Sequence, residues 1–333
     1  MENKKHNTKS MVEAGLISAL IFVIFLISAY TSMLSSVGAF ILPIPVTILY
    51  IRYDFKTAIL SVVVSFILVS LMWNVVSALI AAVTFGLIGL SFGYCINKNF
   101  SKKLTLFILT IVNLIAYIFQ MVITLSLILK QSLVEQIQFM SNMFNESMDM
   151  TIGMYQSLGM TEEQLKTFDL LKESFSTDFI LKMLPASILF VAIVSALLNY
   201  TITRRVFCKL KYNKIEKFGE FQYFYISNIF TAGLIIIWLS GILLTHYKLD
   251  IGEYLQLFAV FTMQILFMLN GLALLIYYIR NRRNKNISKI LIVVIAFLGF
   301  TNNIFAKMFF FTGLAESIID LRKLDPYSTR KRK

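Results

Sequence analysis

Long apolar runs separated by short polar segments dominate the chain. Most of the runs contain about 18 to 27 residues, enough for an α-helix rising 1.5 Å per residue to cross a hydrocarbon core of about 30 Å. The candidate spans are residues 11–31, 33–51, 55–73, 75–96, 104–129, 179–203, 223–245 and 254–279. The short alternating segments typical of a membrane β-barrel do not occur. The pattern predicts an all-α polytopic membrane protein with eight such spans.

A ninth apolar region, residues 287–319, contains the polar stretch GFTNNIFAKMFF at residues 299–310. One straight helix of that length would measure about 50 Å, which is too long for a single crossing. A break near residues 299–303 leaves two arms shorter than a full span, as in re-entrant hairpins. The sequence therefore predicts a C-terminal re-entrant helical hairpin, in which Asn302 and Asn303 either cap the freed backbone or bind a ligand.

Lys307 lies in the return arm of this predicted hairpin. An ammonium group near the membrane interior costs at least about 2.5 kcal/mol and needs an acidic partner, carbonyl groups or water. Two hypotheses stay open: Lys307 has a function, or its side chain only reaches back to the membrane interface. Together with Asn302 and Asn303 it forms a candidate polar membrane site.

The basic residues predict the orientation of the chain. With the N-terminus inside, Lys and Arg concentrate in cytoplasmic segments, including the tail at residues 1–10, the linker at residues 204–222 and the C-terminal tail at residues 320–333. The C-terminal tail joins the others only if the ninth region enters and returns. The net charge of +13 then indicates contact with anionic lipids at the cytoplasmic face, and no nucleic-acid partner is expected.

The one large hydrophilic segment, residues 130–178, is extracytoplasmic in this topology. Apolar residues at three- and four-residue spacing predict an amphipathic helix that continues the fifth span. Gly159 provides a turn, and Thr161 with Gln164 forms a capping box for a second helix. We expect a long helical hairpin of about 40 Å. Its methionines either pack the two arms together or form an adaptable docking surface; they are Met140, Met143, Met148, Met150, Met154 and Met160.

The sequence GLSFG, residues 89–93, matches the G-x-S-x-G pattern of a hydrolase nucleophile. That chemistry needs a histidine partner, and the chain contains only His6 and His246, in polar segments away from the serine. The glycines instead predict a face for close helix packing. Motifs for phosphate, dinucleotide or metal binding do not occur, so we expect no catalytic residue, no cofactor and no metal site.

Pro43 and Pro45 interrupt the second apolar run. Because proline lacks a backbone donor and fixes φ, the helix is broken here or starts late. Within a bilayer, irregular backbone is stable only when it is buried in protein or faces a wet cavity. The two prolines are therefore a candidate cavity wall.

Small residues recur in the first span. Ala14 and Ser18 are four residues apart, as are Gly15 and Ala19. Such a stripe allows another helix to approach closely. The spacing does not decide whether that helix belongs to the same chain or to a partner subunit.

Several segments together resemble the YybS-like family of uncharacterised bacterial multi-pass membrane proteins. They are LPIP followed by YIRYDFKTA (residues 42–45 and 50–58), LPASILF (184–190), KIEKFGEFQYF (214–224) and GLAESIIDLRK (313–323). That family is grouped with the S components, the substrate-binding subunits of energy-coupling-factor transporters. The resemblance implies a location in the bacterial plasma membrane, and the distribution of basic residues predicts that both termini are cytoplasmic.

The resemblance also implies a domain organisation. Residues 11–203 would form a six-helix S-component-like core, and residues 223–319 would add two transmembrane helices and the re-entrant hairpin. The first helix of S components presents small residues to a membrane coupling subunit, which makes Ala14, Gly15, Ser18 and Ala19 a candidate helix-docking face. The long outer hairpin departs from the short outer loops of S components.

Two functional hypotheses follow, and neither is enzymatic. The first is a substrate-binding or transport-related component of S-component type. The alternative is a membrane scaffold or regulator that recruits partners through the outer hairpin and the basic cytoplasmic loops. A transporter should have a polar cavity lined by interior amides, whereas a scaffold should have those amides bonded to each other in a dry core.

Overall fold

The computed structural model of the protein describes residues 8–31, 38–212, 215–283, 297, 299 and 301–324. Every regular element within these ranges is a helix, so the predicted all-α fold is confirmed. The chain divides into two compact units, one with residues 1–181 and 187–217 and the other with residues 182–186 and 218–333. The predicted domain limits at residues 203 and 223 stay a prediction.

The first unit contains most of the helices. They are α1 (Thr8–Tyr30), α2 (Pro43–Arg52), α3 (Phe55–Met72), α4 (Val75–Asn97), α5 (Lys102–Ile123), α6 (Leu133–Ser157), α7 (Glu162–Ser174) and α8 (Thr177–Lys209). Short polar side chains set several of the starting points: Asp54, Asn74, Ser101 and Ser176 each accept a hydrogen bond from a backbone N–H of the first turn. The caps explain why the apolar runs begin as helices where they do.

Within the described ranges the second unit contains a short 3₁₀ segment (Phe221–Tyr223) and the helices α9 (Asn228–His246), α10 (Ile251–Arg283) and α11 (Asn303–Ile319). Ser227 caps α9. Aromatic and aliphatic side chains of α9, α10 and α11 form its core, with Phe267 of α10 fully buried and Phe310 of α11 packed against it.

Seven helices within the described residues are long and apolar enough to cross a membrane: α1, α3, α4, α5 with the turn that follows it, α8, α9 and α10. The second predicted span, residues 33–51, is not among these seven. The described apolar helix there covers Gly38–Arg52, and residues 32–37 lie outside the described ranges, so the full length of this span stays a prediction. A turn at Leu42 divides the helix, and Pro43 and Pro45 occupy the first turn of α2, where proline is tolerated.

The short second helix still runs back along α1. At one end Glu13 accepts hydrogen bonds from Arg52 and from Tyr53. At the other end Gly38 lies against Ser28, whose Cβ is 2.6 Å from the position that a side chain at Gly38 would occupy. The antiparallel course of α1 and α2 therefore preserves the predicted alternation of direction.

Glycines bring α4 close to α2. A Cβ at Gly89 would lie 2.7 Å from the Pro43 carbonyl oxygen, and a Cβ at Gly93 would lie 2.6 Å from the Tyr50 side chain. The Thr47 hydroxyl donates a hydrogen bond to the Gly89 carbonyl oxygen at 3.0 Å. The packing role predicted for the glycines of GLSFG is confirmed.

The prediction that one helix continues from the fifth span into the hydrophilic segment is wrong. After α5, residues Thr124–Leu129 form a π-helical turn, and Lys130 has a left-handed φ of 53°. Ser132 then starts α6 through a capping box with Glu135. Hydrogen bonds from Ser132, chiefly from its backbone N–H, hold the pKa of Glu135 below its ordinary value.

Helices α6 and α7 pack against each other after a turn at Gly159, which has a φ of 85°. As predicted, α7 begins directly after Thr161, although with 13 residues it is much shorter than α6. The rings of Phe144 and Phe175 stack with their centroids 3.9 Å apart. Asp149 and Lys172 add an ion pair at 2.6 Å.

Four methionines of this segment have largely exposed side chains. Met140, Met143, Met150 and Met154 are 54–73% exposed, whereas Met148 is half-buried. The interpretation that the whole methionine stripe packs the two arms together is therefore wrong for these four residues, which lie on an outer surface of α6.

Candidate functional site

A groove with a volume of about 690 Å³ opens between α9, α10 and α11. Its walls are mainly apolar and aromatic, with Trp238 from α9, Met263 and Phe267 from α10, and Phe310 from α11. The volume lies within the range of about 300–1,000 Å³ that is typical of small-molecule pockets. This groove is the candidate binding site of the second unit.

Three side chains with strongly polar ends line the groove: Gln264 on α10, and Asn303 and Lys307 on α11. Asn303 and Lys307 are four residues apart and share one face of α11. Among the residues that the structure describes, Lys307 is the only charged one in the lining, and its side chain is exposed. Among the residues that the structure describes, no carboxylate lies within ion-pair distance of its ammonium group.

The break predicted in the ninth apolar region falls at Asn302. This residue has extended backbone angles, and its side-chain oxygen accepts a hydrogen bond from the Ile304 N–H at 2.9 Å. Of the two roles that the sequence left open, Asn302 has the capping one. Asn303 is the first helical residue of α11 and contributes to the groove instead.

A second polar cluster closes the opposite end of α11. The Arg322 side chain is completely buried, and its Nε donates a hydrogen bond to Glu316 Oε1 at 2.7 Å. Its other two nitrogens donate to the Gln222 carbonyl oxygen at 2.7 Å and to Asn270 Oδ1 at 2.8 Å. The buried ion pair is therefore surrounded by further hydrogen bonds, as a buried charge requires.

Two glycines let α11 approach α10 beside this cluster. A Cβ at Gly313 would lie 2.7 Å from the Gly271 nitrogen, so the two backbones are in contact. Asn270 Nδ2 also donates to the Gly313 carbonyl oxygen at 2.9 Å. Asp320, with a left-handed φ of 51°, ends α11 and turns the chain back toward the cluster. One end of α11 is thus fixed tightly, whereas the other end borders the groove.

The end of α11 lies beside the beginning of α9. Asn228 Nδ2 is 3.5 Å from the Ile318 carbonyl oxygen, and Arg322 reaches Gln222 in the 3₁₀ segment. The C-terminal segment is therefore on the side of this unit at which the chain enters from the basic linker. The path of residues 284–296 lies outside the described ranges, so the re-entrant hairpin and the cytoplasmic location of the C-terminal tail both stay predictions.

Two interior amides of the first unit, those of Asn113 and Asn199, lie against each other. Asn113 Oδ1 and Asn199 Nδ2 are 3.5 Å apart, and both side chains are buried. Next to them, the hydroxyl groups of Tyr117 and Ser195 form a hydrogen bond at 2.6 Å. These pairs join α5 to α8. By the criterion set out above, they indicate packing in this unit rather than a polar binding cavity.

The predicted cavity wall lies in a packed region. Pro43 and Pro45 are buried, and the Pro43 carbonyl oxygen accepts a hydrogen bond from the Thr47 hydroxyl at 3.0 Å. Neither proline lines the groove or a smaller cavity of about 140 Å³ beside Phe92 and Tyr200. Their position at the α2–α4 contact explains their burial.

The four small residues of α1 divide between two faces. Ala14 and Ser18 are buried, and the Ser18 hydroxyl lies 3.1 Å from the Ser61 carbonyl oxygen of α3. Gly15 and Ala19 are exposed, and a Cβ at Gly15 would meet nothing within 4 Å. Ala14 and Ser18 therefore serve internal packing and are not available to a partner. Gly15 and Ala19 remain candidates for docking.

The sequence did not indicate that Glu316 pairs with Arg322, or that the isolated amide Gln264 shares a groove with Lys307. Glu316 and Arg322 are six residues apart, a spacing that does not place them on one helix face. Only the left-handed turn at Asp320 brings them together. The available signal was their presence next to a long apolar run, where an opposite pair of charges is expected to be buried together.

The lining of the groove offers binding groups. An ammonium and two amides can donate hydrogen bonds to an anionic or carbonyl oxygen, and the aromatic walls can hold an apolar body. The described residues of the lining include no carboxylate, histidine or cysteine. Within the described ranges, no group of three or more His, Cys, Asp or Glu side chains could hold a metal ion.

Comparison with known proteins gives a consistent result. Residues 19–315 match the family model described as "Predicted membrane protein (DUF2232)". The chain is 19% identical over 320 residues to the "Uncharacterized protein YybS" of Bacillus subtilis strain 168, covering 95% of this chain and 98% of that protein. No solved structure matches the chain. Because the family model covers most of the sequence, the chain belongs to the DUF2232 family of predicted membrane proteins.

Proposed function

We propose that this multi-pass membrane protein binds a small molecule in the groove between α9, α10 and α11. One observation carries the proposal: Lys307, Gln264 and Asn303 project polar groups into a groove of about 690 Å³ with otherwise apolar walls. Pockets for small ligands have this composition, in which a few polar groups orient a mainly apolar ligand.

A contrast between Lys307 and the buried polar groups elsewhere in the protein supports this location. Two amides of the first unit lie against each other, and Arg322 has Glu316 and Asn270 as partners. Lys307 lies in an apolar helix, where a charge is costly and marks a functional position by default. A bound ligand would supply the oxygen atoms that a membrane lysine requires.

Purification tests the proposal directly. The protein would be extracted in mild detergent, and retained small molecules would be identified by mass spectrometry. Ala306→Phe places a ring in the groove and should reduce the retained ligand at least tenfold. Met308→Phe is the matched control, because Met308 lies on the same helix, is 55% exposed and does not line the groove. Equal retention by both variants would contradict the proposal.

A transport-related role of S-component type extends this proposal. It is supported by the family resemblance and by the exposed pair Gly15 and Ala19 on α1. Such a role requires a membrane coupling subunit and an ATPase that co-purify with the protein. Gly15→Leu should remove these subunits and leave groove binding intact, whereas the absence of both subunits from the wild-type sample would argue against transport.

The scaffold function is the second candidate, favoured by the exposed methionines of α6. Flexible thioether side chains form adaptable contact surfaces. Replacing Met150 and Met154 with Gln should release a protein partner without changing the small molecules retained in the groove. Identical sets of co-purified proteins in both samples would count against recruitment through this surface.

A further inference from the structure

The order of side chains along the groove indicates what kind of molecule it binds. Asn303 and Lys307 lie in the first turns of α11. Phe310, Phe311 and Leu314 follow toward its C-terminal end. From Asn303 to Leu314 the helix rises about 16 Å. The groove is therefore polar at one end of α11 and apolar along the rest.

We propose that the ligand is a single-chain amphiphile with an anionic head group, which rests on the groove being a binding site. Lys307 is the only charged residue in the described part of the lining, so charge complementarity there selects an anion. The lysine ammonium and the NH₂ groups of Gln264 and Asn303 are donors suited to carboxylate or phosphate oxygens. The aromatic and aliphatic wall, including Trp238 and Phe310, accommodates the hydrocarbon chain.

The volume limits the ligand to one chain. A groove of about 690 Å³ falls in the middle of the range for drug-sized ligands, whose surfaces are mostly buried on binding. The free energy of binding would come from burial of methylene groups, while the head group sets the orientation. The proposed occupant is thus a long-chain carboxylate or an alkyl phosphate that enters from the surrounding bilayer.

Tryptophan fluorescence provides a local test. The chain contains two tryptophans, Trp73 and Trp238, and the second lines the groove. The variant Trp73→Phe, placed in bilayers of zwitterionic phosphatidylcholine, reports on Trp238 alone. In a titration, ω-bromododecanoate should quench the fluorescence of Trp238 at a lower concentration in the membrane than ω-bromododecanol does. The alcohol has the same chain and no charge. Dodecyl phosphate, added as a competitor, distinguishes a phosphate from a carboxylate preference.

Three substitutions in this background identify the group that recognises the head. Lys307→Met should weaken binding of the anion about tenfold or more, the change expected from loss of one charge-assisted hydrogen bond. Binding of the alcohol should not change. Lys307→Arg keeps the charge and should retain the preference. Lys56→Met, at an exposed position at the start of α3, removes one positive charge elsewhere and should behave like the parent protein.

The outcomes separate the two proposals. Preferential quenching by the anion that depends on Lys307 supports the ligand class. Saturable quenching by both amphiphiles without preference, blocked by Ala306→Phe, overturns the ligand class but leaves the groove as a binding site. Quenching that only follows the total amount of bromolipid and is unaffected by Ala306→Phe overturns both.

Discussion

The two ends of α11 contain charges in opposite situations. At its C-terminal end, Arg322 is fully buried and bonded to Glu316, Asn270 and the Gln222 carbonyl group. At its N-terminal end, Lys307 borders an apolar groove, and no described carboxylate pairs with it. Lys307 lies in the apolar region at residues 287–319 and Arg322 directly follows it, yet Arg322 is bonded within the fold and the Lys307 side chain is exposed.

This difference teaches how a charge in an apolar segment should be interpreted. A charge whose partners come from the protein contributes to the fold, and its removal leaves the partner buried and unpaired. A charge without such partners imposes a cost that the fold does not offset, which makes its position a candidate functional site. The two ends of α11 therefore predict opposite responses to the same kind of substitution.

The largest effect is expected for Arg322→Met. It leaves the Glu316 carboxylate buried without its partner, which typically destabilises a protein by about 3–5 kcal/mol. Unfolding in mixed micelles with increasing sodium dodecyl sulfate would measure the loss. Arg322→Met combined with Glu316→Met removes both charges and should recover most of the stability. An Arg322→Met protein as stable as the wild type would show that the pair does not fix α11.

A smaller effect is expected for Gly313→Ala. Its Cβ would be placed against the backbone of Phe267 and Gly271, which cannot move aside, so α11 must shift away from α10. Overpacking of this kind costs about 1–3 kcal/mol. Gly233→Ala on α9 is the matched control, because a Cβ there meets nothing within 4 Å. Similar stability of the two variants would contradict close contact at the fixed end.

Much of this architecture could be predicted from the sequence. The apolar runs are long, so the helices and most of the spans follow from composition and length alone. The glycine contacts of α4 and the break at Asn302 were also visible, because small residues and asparagine have specific local effects. Pro43 and Pro45 predicted that the second run is broken or that its helix starts late, and α2 does begin at Pro43.

Other features depend on tertiary contacts or unusual backbone angles. The end of the fifth span at Lys130 has no glycine or proline to mark it, because a lysine adopts the left-handed conformation there. The Arg322 cluster needs the turn at Asp320 and contacts from three separate segments. Lys307 was predicted as a candidate site. Its position in one groove with Gln264 depends on the packing of α11 on α10, which no local pattern specifies.

Loss of the cap at Asn302 should have an effect on stability between those of Arg322→Met and Lys307→Met. Asn302→Ala removes the acceptor for the Ile304 N–H and should destabilise the start of α11 by about 1 kcal/mol, the usual value for an N-cap. Asn302→Ser retains a capping oxygen and should remain within a few tenths of wild type. Unfolding in the same micelles measures both. If the two variants lose stability equally, the side chain of Asn302 has a role other than capping.

The smallest effect on stability is expected for Lys307→Met, which tests the comparison most sharply. Because no described protein group is left unpaired by its removal, the free energy of unfolding should stay within about 0.5 kcal/mol of wild type or rise slightly. The same micelle unfolding, performed on ligand-free protein, measures this. A loss as large as that of Arg322→Met would mean that Lys307 has an intramolecular partner, and the two ends of α11 would then be alike. A stable Lys307→Met protein that no longer prefers the anionic amphiphile would instead separate the fold from the site within a single helix.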